Sequence, residues 1–319
     1  VDGAQEIVAE AGAYYVTGTL LGNTLDGYVM RINPADGVPR WTKKIGGDNT
    51  EEVLQSIAAF SDGILVGGYR IRTIGEVITP APWLLKLDRA SGDRLWELTF
   101  TEGQIPRAGV KDLVAVEEEH ILAVGIDTSD SEASIWAAKV HASGAVRWVK
   151  RWRVQGEWLE GRAGAYVPGG NYAIGGFHSD TSDPGDALIL EVRPDGRLVS
   201  AARILKGGTQ QVESAAVLRN GRIAMVGYGD EAAAPGLLSW NVWVCGSDGS
   251  GTGCGSRAVT LSIASAAGPA ATTTPMESLS VSVQAVTGDQ TVSAPATDLC
   301  AAQGSGGDSA LGIGGPSKG

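Results

Sequence analysis

The chain has 319 residues, with 36 Asp and Glu against 25 Lys and Arg, a formal charge of −11 at pH 7. That balance argues against a nucleic-acid partner, since phosphate-backbone binding rests on clustered cations. No run of eighteen apolar residues is present, so no membrane-spanning helix is expected, while 43% hydrophobic residues suffice for a packed core. Forty-six glycines suit short strands joined by tight turns. The chain opens on Val1 without a charged or apolar leader, which reads as a mature, exported protein.

In chain order, one unit recurs five times. Its first strand is read at 6–9, 54–60, 111–116, 162–166 and 213–218. Its second strand ends in glycine, at 15–18, 65–69, 122–125, 173–177 and 225–228. The third strand alternates apolar residues at 28–32, 83–87, 136–140, 187–192 and 242–245. A turn glycine comes after each: Gly37, Gly92, Gly144, Gly196 and Gly249, spaced 55, 52, 52 and 53 residues apart. Four residues beyond stands Trp41, Trp96 or Trp148, then Ser200 and Gly253 as the pattern fades.

Four short strands per repeat of this length predict an all-β fold, a β-propeller of about five four-stranded blades over residues 1–262, with room for a partial sixth. A lone sheet leaves both faces apolar, so the blades must stack. Trp41, Trp96 and Trp148 are then expected to wedge between neighbouring blades. The strand-two glycines would permit close approach of adjacent sheets.

Composition shifts after Leu261. Residues 263–302 are rich in Thr, Ser and Val, and 303–319 form a Gly/Ser-rich tail. Leu279, Val281 and Val283 alternate with Ser280, Ser282 and Gln284, as in a half-buried strand, and Leu311 and Ile313 form a small apolar island.

Units such as 83–96 resemble the PQQ-like and WD40-like propeller repeats, above all those of secreted bacterial and archaeal propellers, over residues 1–262. The segment flanked by Cys254 and Cys300 resembles the terminal segment of some secreted propellers. That resemblance implies a Cys254–Cys300 disulfide closing a loop of about 46 residues, a stabilisation of ~3–4 kcal/mol. Pairing of Cys245 with Cys254, or three reduced thiols, are the alternatives.

No catalytic constellation is legible. His120, His141 and His178 are the only histidines, His120 and His141 stand at turns, and solvated positions are expected for them. No nucleophile elbow, phosphate loop or zinc signature occurs, so no enzyme, cofactor or metal is expected. Asp127, Asp130 and Glu132, and likewise Asp180, Asp183 and Asp186, cluster in loops that offer calcium-type oxygen ligands, with solvated acidic turns as the plainer account. Aligning the repeats places Gln5, Gln55, Asp112, Arg162 and Ser214 along the channel. Trp152 and Trp158, beside Arg151, Arg153 and Arg162, are candidates for a sugar-stacking patch, with blade packing as the alternative.

Two functions remain. One is an extracellular structural protein that assembles with itself, head to tail, into a filament or surface layer, through Leu279, Val281, Val283, Leu311 and Ile313 of the tail. The other is a secreted binding module for a carbohydrate or protein partner at the cell surface.

Overall fold

The computed structural model describes residues 3–47, 50–74, 77–100, 109–117, 119–128, 132–167, 169–180, 185–204, 209–217, 223–230, 240–247, 256–258, 262–265 and 276–278. These residues form strands and turns and include no helix long and apolar enough to cross a membrane.

Five antiparallel sheets succeed one another as blades of a propeller, each built by hairpins in chain order. Blade 1 holds β1 (Gly3–Glu10), β2 (Ala13–Leu21), β3 (Leu25–Ile32) and β4 (Pro39–Ile45). Blade 2 holds β5 (Thr50–Ala59), β6 (Ile64–Ile74), β7 (Val77–Leu87) and β8 (Arg94–Thr99). Blade 3 holds β9 (Gly109–Ala115), β10 (His120–Asp127), β11 (Ser134–His141) and β12 (Val146–Arg153). Blade 4 holds β13 (Trp158–Tyr166), β14 (Tyr172–Ser179), β15 (Asp186–Val192) and β16 (Leu198–Ile204). Blade 5 shows three strands among the described residues, β17 (Thr209–Val217), β18 (Ile223–Asp230) and β19 (Trp240–Ser247).

Apolar clusters lie between consecutive sheets. Tyr15, Val29 and Ile45 of blade 1 meet Leu54, Val66 and Trp83 of blade 2. Phe100 meets Trp136 edge-on between blades 2 and 3. Trp152 and Leu188 share the seam of blades 3 and 4, and Ile189 and Met225 that of blades 4 and 5.

The recurring tryptophans sit where these blades meet. Trp41 donates its indole N–H to the Arg89 carbonyl at 3.2 Å, Trp96 to that of Ala142 at 2.8 Å, and Trp148 to that of Pro194 at 2.8 Å. Each acceptor lies in the turn between the third and fourth strands of the next blade. The turn glycine there has positive φ, +73° at Gly92, and its Cα faces the ring, so a side chain at Gly92 would come within 2.9 Å of Trp41. Repeat length is therefore set by one contact made three times.

A second device recurs in every first strand. The β1–β2 register shifts between Ala4 and Glu6, and equivalent bulges lie at Gln55, Lys111, Arg162 and Glu213. The bulge drives its backbone against the second strand of the same blade. At Gly125 an added Cβ would lie 1.9 Å from the Gly109 carbonyl oxygen. This corrects the expectation that the strand-two glycines admit the adjacent sheet: at Gly18, Gly68, Gly125 and Gly176 they admit the bulge of their own sheet. Among the described residues, the preceding strand-two glycines Gly67 and Gly175 do face a neighbouring blade as expected, at Val110 and Val212.

Candidate functional site

Three short strands beyond the fifth blade add to the outer edges of earlier blades. β20 (Ser256–Ala258) pairs with β16 of blade 4, β21 (Ser262–Ser265) with β12 of blade 3, and β22 (Met276–Ser278) with β4 of blade 1, all antiparallel. The chain thus returns along the blades against their sequence order, from blade 4 to blade 3 to blade 1. The reason for acceptance is local. Each outer strand carries a bulge near its start, at Arg40, Arg147 and Val199, which twists that end. The straighter second half, residues 43–45, 150–153 and 202–204, presents the free edge that the added strand takes. Among the described residues these strands extend earlier blades and build no sixth sheet. Leu279, Val281, Val283, Leu311, Ile313, Cys254 and Cys300 lie outside the described residues.

The innermost strands converge through half-buried carboxylates. Glu6 accepts from the Ser56 hydroxyl at 2.5 Å and from the Ile57 N–H at 2.7 Å, joining blades 1 and 2. The same hydroxyl accepts from the Leu113 N–H at 2.9 Å, and Asp112 accepts from the Gly164 N–H at 2.6 Å, extending the chain of contacts to blades 3 and 4. Burial raises the pKa of both Glu6 and Asp112, against the opposing effect of these donors.

The bulge residues make a polar series: Gln5, Gln55, Lys111, Arg162 and Glu213. With its amide turned to satisfy both ends, Gln55 accepts from Lys111 Nζ at 3.1 Å and donates to the Val110 carbonyl. Arg162 pairs with Glu213 at 2.9 Å across blades 4 and 5, and with Glu160 at 2.9 Å. Burial, and then the charge of Arg162, lower the pKa of Lys111. Asp112 and Ser214 fall one residue past the bulge, so Lys111 and Glu213 replace them in the expected channel series. The cause is the extra bulge residue, which the spacing of the repeats does not register.

Of the two histidines expected at solvated turns, His120 is buried, contrary to that expectation, and His141 is half-buried. His120 packs edge-on against His141 at 4.9 Å and accepts from Arg147 Nε at 3.1 Å. His141 closes its own turn with the Ser143 hydroxyl at 2.8 Å and the Ser143 N–H at 3.1 Å, so this Ser–His pair is a turn contact. His178 is fully buried, between Glu157 and Arg203.

The acidic loops are engaged rather than open. Asp127 pairs with Arg151 at 2.7 Å, and Glu132 accepts from the Gly156 N–H at 2.8 Å. Asp180 joins Glu157 and His178 in a group whose ligand atoms lie within 4.8 Å of one another. Arg203 stands among them, donating to His178 Nδ1 at 3.0 Å and lying 3.6 Å from Asp186. With Nδ1 accepting, Nε2 carries the proton toward Glu157, so both ring nitrogens are used, and a guanidinium already supplies the positive charge. That donor set fits an ion-pair network better than a metal. Asp130 and Asp183 lie outside the described residues. Trp152 is fully buried, so it makes no stacking patch with Trp158, whose indole N–H donates to Glu160 at 2.9 Å.

No family model matches the chain, and no curated protein does. Among solved structures, a protein of unknown function from Bacteroides caccae is similar with a TM-score of 0.43 and 14% identity, over 72% of this chain and 73% of that one. A glucose dehydrogenase is similar with a TM-score of 0.32 and 9% identity, over 71% of this chain and 96% of that one. Likenesses of this degree say nothing about activity.

Proposed function

We propose that this chain is an extracellular structural protein, a secreted propeller of the PQQ-like and WD40-like kind, that associates with copies of itself through its C-terminal segment. One observation carries the reading: the described strands beyond the fifth blade all add to sheet edges, those of blades 4, 3 and 1. Main-chain pairing of this kind contributes ~0.5–1.5 kcal/mol net per hydrogen bond, and it is indifferent to whether the donor belongs to the same or another copy. A head-to-tail link of this type is heterologous and propagates into rings or filaments. Of the carboxylates that burial perturbs, Glu6 and Asp112 are tied to backbone and hydroxyl donors between blades and Glu52 to Arg70, which suits a structural role over acid–base catalysis.

Light scattering and electron microscopy of the full chain beside a version ending at Ser278 test this. Concentration-dependent assembly lost on truncation is expected. A full chain that stays a monodisperse monomer at high concentration overturns it.

The second reading, a binding module for carbohydrate or protein, draws on the polar bulge series from Gln5 to Glu213. There Lys111, Arg162 and Glu213 bring both charges to neighbouring inner strands.

A further inference from the structure

We infer that the outward faces of blades 1 and 5 form the docking surface for the C-terminal segment, residues 279–319, of a second copy. The inference rests on the self-association reading above and names its receptor.

Blade 1 buries one face against blade 2. Its other face carries Ile7, Ala9, Tyr14, Val16, Met30 and Ile32, set by the register Ile7↔Val16↔Met30 and Ala9↔Tyr14↔Ile32. Their counterparts in blade 2 are Ile57, Ala59, Ile64, Val66, Leu85 and Leu87, of which all but the half-buried Ala59 are covered by blade 1 to 2% exposure or less. Among the described residues nothing comparable covers them in blade 1: Ile7 is 59% exposed and Tyr14 41%, with Val16, Met30 and Ile32 half-buried.

Blade 5 repeats the situation at the other end. Val212, Ile223 and Met225 pack on blade 4, while Ala216, Ala224 and Val226 face away, Val226 at 38% exposure. Among the described residues no apolar cluster joins blade 5 to blade 1. The turn glycines agree. Gly92, Gly144 and Gly196 each meet the tryptophan of the preceding blade, whereas a side chain at Gly37 would meet nothing within 4 Å. Among the described residues, the array is a stack with two unpaired apolar ends.

The occupant is identified by its chemistry. These ends are apolar, and residues 279–319 carry only Asp289, Asp298, Asp308 and Lys318 as charges, with Leu279, Val281, Val283 and Ala285 alternating at the strand period. The outer edges of blades 1, 3 and 4 already hold β22, β21 and β20 of their own chain. The outer edge of blade 2, β8, holds no added strand among the described residues but offers backbone groups rather than an apolar face, so the apolar positions of a neighbour's segment find their matching surface at the two ends.

The test compares Ile7→Asp and Val226→Asp in the full chain with Val199→Asp, an apolar residue 48% exposed on the outer strand of blade 4, whose edge β20 already holds. Sedimentation velocity is expected to show association weakened at least ~10-fold by the first two, a loss of about 1.4 kcal/mol or more, and unchanged by the third. In the unaltered chain, hydroxyl-radical footprinting is expected to show Tyr14 becoming protected as concentration rises. If truncation at Ser278 abolishes association but Ile7→Asp and Val226→Asp do not, the docking surface is wrong and self-association stands. If the full chain never associates, the functional reading itself fails. Tyr14 protection that does not change with concentration overturns the inference even if the variants misfold.

Discussion

Ile7 and Ile57 occupy the same position in consecutive blades, one residue past Glu6 and Ser56 on the innermost strand, yet Ile57 is 2% exposed and Ile7 59%. The difference is the presence of a preceding blade. Blade 1 seals Ile57, and among the described residues no sheet does the same for Ile7.

The turn glycines give a graded expectation. Gly92→Ala forces positive φ on a side chain and drives its Cβ to 2.9 Å from Trp41. A loss of about 2–3 kcal/mol is expected from the two effects together. Gly37→Ala meets only the backbone cost, about 1 kcal/mol. Urea unfolding of the two variants side by side checks the order; equal losses would contradict the tryptophan contact.

Inside blade 2, Arg70 is 2% exposed and pairs with Glu52 at 3.0 Å and Glu97 at 2.8 Å, over the ring of Trp83. Trp83 and Arg94 also donate to Glu97. Arg70→Met leaves Glu52 buried without its guanidinium, and a loss of about 3–5 kcal/mol is expected. A loss below about 1 kcal/mol by thermal or urea unfolding would show that the cluster is dispensable.

The pH dependence rests on Glu6, Glu52 and Asp112, whose pKa values burial raises. A carboxyl raised in the folded state holds its proton more tightly there than when unfolded. Its contribution is full below the unfolded pKa, about 4, and is lost as pH rises through the folded value. Stability is therefore expected to decline from weakly acid toward neutral pH. Asp112→Asn keeps an acceptor for the Gly164 N–H but turns its NH2 toward the Leu113 N–H that Oδ1 accepts from, so it should be less stable in weak acid and show a shallower decline with pH than the parent. A parallel decline in both proteins would assign the effect elsewhere.

How much of this could be read from the residues alone depended on whether a feature repeats locally. Trp41, Trp96 and Trp148 and their turn glycines recur 52 or 55 residues apart, so the blade period was legible. The bulges were not, because one inserted residue moves Lys111 rather than Asp112, and Glu213 rather than Ser214, into the bulge. His178 meets Glu157 across a hairpin 21 residues away, a pairing no local motif announces. The open ends were invisible too, since Ile7 and Ile57 have similar sequence neighbours and differ only in what lies across the face. The edge pairing of β20 to β22 hid in a segment where only the alternation further on, at Leu279 to Val283, signalled a strand.

The most direct test of association through the C-terminal segment is a photo-cross-linking amino acid placed at Val283 in a one-to-one mixture of isotopically light and heavy full-length chains. Mass spectrometry of the linked peptides reads both the site and the copy. Links from position 283 to the Ile7 or Tyr14 peptides that join light to heavy chains are the predicted result. Links confined to chains of the same label, or links that avoid the outward faces of both blade 1 and blade 5, would contradict the account.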